Sequence, residues 1–281
     1  MSDPRGRAGV VGLPLLDLRR EPDHASELLS QMLLGEVADV IAESGRGRWL
    51  RVRGWLDGYA GWVRSWGLVR ATPARCRRWL KRARHQVRVL HAELRSGPRG
   101  GIAVSPLLWR SRVIRRSSRG GHSLLELPDG RLGWLPSASL APVGAPGAGF
   151  IERIQGLSGV PYQWGGRSAV ALDCSGFTQL VMSEQGIALP RDARDQWRAC
   201  AEIGGTDHAR VGDLVFFGSA EQGQAHVGLY LGEGYFVHSR GRIGVNSLDP
   251  DNILCDNELA AQFRGVGRAP KAWRPRRGKS P

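Results

Sequence analysis

A cysteine at 174 and histidines at 226 and 238 are the residues of this chain whose types and settings could together break an amide bond. Cys174 lies in DCSGF, residues 173–177, just after a glycine-rich stretch. Phe177, Leu180 and Val181 follow at i, i+3, i+4 spacing and Gly186 supplies a stop, so the pattern predicts an amphipathic helix beginning at or beside the cysteine. A thiol at a helix N-terminus feels the positive end of the helix, which favours thiolate. That effect is about 0.3–1 kcal/mol, whereas one pKa unit corresponds to about 1.36 kcal/mol. The helix alone therefore cannot ionise the thiol at neutral pH, and a cation is expected beside it. Histidine suits the role, because an imidazolium both favours the thiolate and later returns its proton to a leaving amine.

Two of the seven histidines stand in a context that could supply it. Residues 225–241, AHVGLYLGEGYFVHSRG, read as two β runs, 226–231 and 235–239, around the turn Gly232-Glu233-Gly234. A three-residue turn puts His238 opposite Gly228 and His226 diagonally adjacent on the same face, about 7–8 Å apart at the backbone, where ring nitrogens can meet. A slip of one residue would send the two rings to opposite faces. Gly228, lacking a side chain, is expected to leave room for the thiol.

These residues need a frame. With 281 residues, of which 41% are hydrophobic, the chain is long enough for two or three domains. Residues 49–63, WLRVRGWLDGYAGWV, and 123–135, SLLELPDGRLGWL, share an alternating strand, an Asp-Gly turn and a Gly-Trp-aliphatic run. The repeat of about 72 residues predicts two small all-β units, with Trp62 and Trp134 in their cores. The expected division is a flexible N-terminus at 1–9, a first barrel at 10–74, a second, divergent barrel at 75–145, a linker APVGAPGAG, a domain at 150–269, and a basic disordered tail at 270–281. No stretch is long and apolar enough for a membrane span, and the start carries no export signal, so a cytoplasmic location is expected. Four scattered cysteines without C-x-x-C spacing give no disulfide framework and no zinc site. The net charge of +14 raises the possibility of a polyanion partner. Yet 37 of the 40 cations are arginines spread along the chain, and the local runs at 75–88 and in the tail read as solvated faces, so no nucleic-acid partner is expected.

The ordered motifs PYQWGG (161–166), DCSGF (173–177), LPRDA (189–193), GDLVFFG (212–218), HVGLYLG (226–232) and VHS (237–239) resemble the NlpC-type papain-like cysteine peptidases of bacterial cell walls. GGRSAVALDCSGF and VNSLDPDN are similar to the subgroup of γ-D-glutamyl-L-diamino acid endopeptidases, the dipeptidyl-peptidase VI-like enzymes, and the first all-β unit resembles the bacterial Src homology 3-like barrels that precede them. The resemblance implies an α+β fold: a papain-like domain with a central antiparallel sheet and a helix carrying the nucleophile, preceded by two such barrels. It implies that Cys174 is the nucleophile, His226 the general base and acid, His238 the group that orients His226, and Tyr162 an oxyanion donor beside the Cys174 N–H. No metal or other cofactor is implied. Further, it implies a peptidoglycan-derived peptide substrate of the L-Ala-γ-D-Glu-diaminopimelate type, with Asp173 pairing with its free amine and Ser175 holding a carboxylate. Tyr59 and Glu27 of the first barrel, with Glu36 a rival to Glu27, would complete the amine pocket. Ala193 departs from the serine expected there and removes one substrate hydrogen bond, while Arg167 and Arg191 could serve substrate carboxylates or structural salt bridges. Two other readings stay open: an inactive peptidoglycan-binding protein, and an amidase or acyltransferase on the same fold.

Overall fold

Asp-Gly turns at 57–58 and 129–130 close two hairpins of the same build. Gly58 and Gly130 take φ of 75° and 88°, and each aspartate accepts the backbone N–H two residues on, Tyr59 N to Asp57 Oδ1 at 2.9 Å and Arg131 N to Asp129 Oδ1 at 3.1 Å. The computed structural model describes residues 6–145, 149–219 and 225–270. The chain divides into two units, Met1–Gly147 and Ala148–Pro281.

The first unit holds two seven-stranded antiparallel sheets. One comprises β1 (Ala8–Val11), β2 (Leu15–Arg19), β3 (Leu28–Leu33), β4 (Val37–Ser44), β5 (Trp49–Gly54), β6 (Ala60–Arg64) and β7 (Leu68–Ala71), in the order β3-β2-β6-β5-β4-β1-β7. After helix α1 (Pro73–Arg82) come β8 (His85–Val87), β9 (His91–Gly97), β10 (Gly100–Leu108), β11 (Arg112–Arg119), β12 (His122–Glu126), β13 (Leu132–Pro136) and β14 (Leu140–Pro142). Their order, β10-β9-β13-β12-β11-β8-β14, repeats the first strand for strand. Leu16, Leu18, Leu50, Val52 and Val63 fill one barrel, and Leu94, Leu107, Val113, Leu125 and Leu135 the other.

Three expectations are corrected. The chain is not free through residue 9, since β1 begins at Ala8 and pairs with both β4 and β7. Position 75 is not the start of the second barrel; it falls inside α1, which Thr72 caps through its hydroxyl and Pro73 opens. That helix buries Cys76 and Trp79, whose indole N–H donates to Gly35 O at 3.0 Å, and leaves Arg75, Arg77 and Arg78 to solvent. Nor are Trp62 and Trp134 core: the inward positions beside them are Gly61 and Val63, and Gly133 and Leu135. The pleat turns the half-exposed indoles outward. The tail at 271–281, residues 1–5 and part of the 141–149 linker lie outside the described residues.

The second unit opens with α2 (Phe150–Leu157) and the short pair β15 (Arg167–Ser168) and β16 (Ala171–Leu172). Then follow α3 (Cys174–Glu184), α4 (Ala193–Ala199), β17 (Ala201–Gly204), β18 (Leu214–Phe217), β19 (His226–Gly232), β20 (Tyr235–Arg240), β21 (Arg242–Ser247), α5 (Asn257–Ala261) and β22 (Phe263–Arg268). The six-stranded sheet runs β17-β22-β18-β19-β20-β21, all antiparallel.

Helix α3 lies against β19 and β20, and it is not the amphipathic surface helix its apolar spacing suggests: Cys174 to Met182 are all buried. Its polar residues find partners from elsewhere in the unit. Thr178 Oγ1 donates to Gln196 Oε1 at 2.7 Å, Gln179 accepts from Arg167 Nε at 2.5 Å and donates to Leu189 O at 3.0 Å. Glu184 receives Arg153 of α2 in a two-pronged pair, Nε to Oε2 and Nη2 to Oε1, both 2.8 Å. Removing one partner of such a buried pair strands the other charge, at about 3–5 kcal/mol. Arg153→Met is therefore expected to destabilise the second unit by about that much, and Arg153→Met with Glu184→Leu to recover most of it, as urea unfolding would measure.

Candidate active site

The turn Gly232-Glu233-Gly234 has φ of 99°, 51° and 77° throughout, and it sets the register that the site depends on. Gly228 pairs with His238, Leu229 with Val237 and Tyr230 with Phe236, with one irregularity next to the turn. His226 and His238 thus share a face of the sheet. Their rings meet at 89° with Nε2 of His226 2.7 Å from Nδ1 of His238. Gly228 has a different use from the one expected. A Cβ there would stand 2.7 Å from Val237 O and 3.1 Å from the His238 Cβ, so the missing side chain permits the close approach of β20 rather than a seat for sulfur.

A residue that sequence reasoning passed over completes the row. Asn246 on β21 accepts from His238 Nε2 at 2.9 Å, and its amide nitrogen donates to Leu254 O at 2.9 Å. The second contact turns the amide oxygen toward His238. This orders the protons along the row: His238 carries its hydrogen on Nε2 and accepts at Nδ1 from Nε2–H of His226, which leaves Nδ1 of His226 a free lone pair. VNS in the sequence carries no mark of this role; only the β20–β21 register, Phe236 opposite Asn246 and His238 opposite Gly244, reveals it.

Cys174 is the first residue of α3, 8% exposed, and the backbone N–H groups of Val227 and Ser175 point at its sulfur. Val227 follows His226 directly, so the thiol is held at the start of the strand that carries the imidazole. The preceding segment is fastened to the same strands: Ser239 Oγ donates to Leu172 O at 2.7 Å, and Tyr162 N donates to Gly241 O at 2.9 Å. Tyr162 stands close enough to Cys174 and Asp173 for their charges, after burial, to raise its phenol to about 12. It remains a proton donor at neutral pH.

Burial in the site works against the expected thiolate and imidazolium. Burial, then the charge of Asp173, pushes the Cys174 thiol up to about 12, against the opposing N–H groups and Arg191. Burial, then His238 and Arg240, pulls His226 down to about 3, and burial likewise lowers His238. Phe217 and Phe236 pack on the two imidazoles at 5.9 and 5.2 Å, which is what dries them. Burial thus acts on both groups in the direction of their neutral forms. The depressed histidine has a consequence for stability. An unfolded chain takes up this proton near the usual 6.5, the folded one only near 3. The contribution is therefore complete above pH 6.5 and is lost as pH falls toward 3. Calorimetry should find a midpoint that falls on acidification from pH 6.5 to 5, more steeply in the parent than in His226→Gln.

Asp173 and Ser175 do not stand free for a substrate, contrary to expectation. The Asp173 carboxylate accepts from Gly165 N (2.9 Å), Gly176 N (2.7 Å) and Ser175 Oγ (3.3 Å), and Arg191 grips both of its oxygens at 3.1 and 2.5 Å. Ser175 Oγ also accepts from Arg191 Nη1 at 2.9 Å. Arg191 and Arg167 accordingly serve structural contacts. The cluster caps α3 and binds the PYQWGG and LPRDA segments to it. Gly176 is required by the same packing, because a Cβ would meet Gly166 O at 2.2 Å. Tyr59 and Glu27 belong to the first unit. Tyr59 lies half-buried against its core, Glu27 is paired with Arg20 at 2.5 Å, and the rival Glu36 accepts from Leu33 N at 3.2 Å. Ala193 is buried at the start of α4. Among the described residues no cluster of His, Cys, Asp and Glu suits a metal ion, and no helix is long and apolar enough to cross a membrane.

Residues 159–259 match the NlpC/P60 family, and residues 18–68 match the bacterial dipeptidyl-peptidase Sh3 domain. Over 255 residues the chain is 30% identical to a gamma-D-glutamyl-L-lysine dipeptidyl-peptidase of Bacillus subtilis, covering 84% of this chain and 80% of that protein. It is 26% identical over 274 residues to dipeptidyl-peptidase 6 of Lysinibacillus sphaericus, covering 92% of this chain and 98% of that one. A crystal structure of an NlpC/P60 family protein from Bacillus cereus shares the fold, with a TM-score of 0.79 at 20% identity over 93% of this chain and 99% of that one.

Proposed function

Since the chain belongs to the NlpC/P60 family and is a cysteine peptidase, we propose that it hydrolyses the γ-D-glutamyl-L-diamino acid bond of peptidoglycan-derived peptides through a thioester at Cys174. The observation that carries the reading is the row from Asn246 through His238 to His226, which leaves Nδ1 of His226 unprotonated at the strand start where the sulfur of α3 is held.

Cys174 Sγ gives its proton to His226 Nδ1 as it attacks the γ-carbonyl carbon of D-glutamate. The carbonyl oxygen becomes an oxyanion, for which the Cys174 N–H at the helix start and the Tyr162 phenol are the donors. Collapse breaks the C–N bond, and His226 passes its proton to the departing amine of the diamino acid. Water then attacks the thioester, His226 takes a proton from it, and the thiol and the γ-carboxylate of D-glutamate are released. This sequence needs no thiolate at rest, since the helix end and the N–H groups of Val227 and Ser175 stabilise the sulfur charge as it forms.

The names of the relatives describe dipeptidyl-peptidases, which supports release of L-Ala-γ-D-Glu from a free N-terminus. Such a terminus exists on stem peptides already cut from muramic acid, so the role proposed is turnover or recycling of muropeptides rather than attack on intact wall. Mass spectrometry on L-Ala-γ-D-Glu-diaminopimelate and its N-acetyl form tests this. Cleavage of the free tripeptide between glutamate and diaminopimelate is expected; equal cleavage of the acetylated form would remove the dipeptidyl assignment, and cleavage at neither would remove the substrate class.

A further inference from the structure

We propose that the outer face of the first barrel carries a binding groove for an acidic peptide segment, separate in kind from the catalytic site. Side chains on β2, β5 and β6 alternate between core and surface: Leu16, Leu18, Leu50 and Val63 point inward, leaving Asp17, Arg19, Trp49 and Arg64 on the other face. With Trp66 of the 3-10 turn Ser65–Gly67 and His24 between β2 and β3, they line a groove of about 200 Å³.

The floor is aromatic. Trp49 is 7% exposed, covered by the His24 ring at 5.0 Å and by the Arg64 guanidinium at 4.9 Å. Trp66 is 65% exposed and offers an uncovered indole. The charges are not balanced. Arg19 Nη2 pairs with Asp17 Oδ2 at 3.0 Å and its Nη1 donates to Ser26 O at 2.7 Å, while Asp17 Oδ1 also accepts from Gln31 at 3.1 Å. The one carboxylate of the groove is thus already matched. Among the described residues Arg64 has no ion-pair partner and its buried Nε has no hydrogen-bond partner.

A guanidinium fixed against an indole, half-exposed and lacking a counter-charge, is set to take a carboxylate on its outer edge with little ordering cost. The groove is rich in donors and poor in acceptors. Sugar hydroxyls, which need acceptors for their protons, and cationic segments are therefore poorly served. A lone uncompensated cation in so small a volume is also not a polyanion track, which requires several phosphate contacts. What fits is a carboxylate side chain or terminus followed by an apolar group that covers Trp66.

Fluorescence polarisation of a fluorescein-labelled α-linked Gly-Glu-Leu peptide, which offers the catalytic site no γ-glutamyl bond, on the full chain carrying Cys174→Ala tests the groove without turnover. Arg64→Gln should weaken binding about tenfold or more, Trp66→Ala should weaken it several-fold, and Arg64→Lys, which keeps charge but not the fork, should fall between. The same changes made with Cys174 intact should leave kcat/KM on the free tripeptide unchanged, which separates failure of the groove from failure of the catalytic reading. Unchanged binding in both Arg64→Gln and Trp66→Ala, equal binding of the fully amidated peptide, or displacement by an N-acetylglucosamine–N-acetylmuramic acid disaccharide would each overturn the proposal.

Discussion

Cys174→Ala is expected to lower kcat on L-Ala-γ-D-Glu-diaminopimelate by roughly ten-thousand- to million-fold, the cost of removing a covalent nucleophile. The thiol has no substitute: water would have to attack the amide unaided by a base correctly placed for it, and only oxyanion donors and binding would remain. The change should not disturb folding, because the position is the first of a helix whose capping depends on Asp173, Arg191 and Gly165 rather than on sulfur. Adding His226→Ala should cost little more, since nucleophile and base act in one step and their losses do not add. Liquid chromatography of the released dipeptide with circular dichroism of both variants would check this. Activity above about a hundredth of the parent in the single variant would mean that another group attacks the bond, and an enzyme of the same fold acting on a different acyl donor would show itself by parent protein that leaves the tripeptide whole.

How much of this could be read beforehand follows from which forces are local. The hairpin register was legible because Gly232-Glu233-Gly234 can hold three successive positive φ values, and turn length then decides which side chains share a face. The duplicated barrel was legible for the same reason, through two Asp-Gly turns that each satisfy their own backbone. Contacts made between distant segments left no such mark. Thr178, Gln179 and Glu184 look like the wet side of α3, yet Gln196, Arg167 and Arg153 bury them; a polar residue in a sequence does not announce that its partner is waiting. Asp173 was legible as a cap, but Arg191, 18 positions on, is what removes it from the pool of substrate ligands. Desolvation was hidden for a related reason: the helix end is visible in the spacing, while the burial that works against ionisation of Cys174 and of the two imidazoles, the latter beside Phe217 and Phe236, comes from segments distant in sequence.

His238→Leu is expected to lower kcat by roughly a thousand- to ten-thousand-fold, comparable to the loss when the orienting member of a triad ceases to fix its histidine's tautomer. The reason lies in the direction of the hydrogen bonds. Because Asn246 Oδ1 accepts from His238 Nε2, His238 can only accept from His226, and His226 must then keep Nδ1 unprotonated for the thiol. Without His238 the imidazole of His226 is free to rotate and to place its proton on either nitrogen. The pH profile separates this from simple loss of packing. His238 is one of the groups that depress His226, second to burial, so its removal should move the acid limb of kcat/KM to higher pH while the rate falls. Asn246 offers the control. Asn246→Asp keeps an acceptor facing Nε2 and adds a negative charge, so it should retain most of the rate and also shift the acid limb upward. Asn246→Leu removes the acceptor and lets His238 turn its proton toward His226, which drives the His226 proton onto Nδ1, where it blocks the base; about a hundredfold loss is expected with little change in KM. If Asn246→Leu and Asn246→Asp lose activity equally, the row of imidazoles is held by packing alone and the directed proton order is wrong.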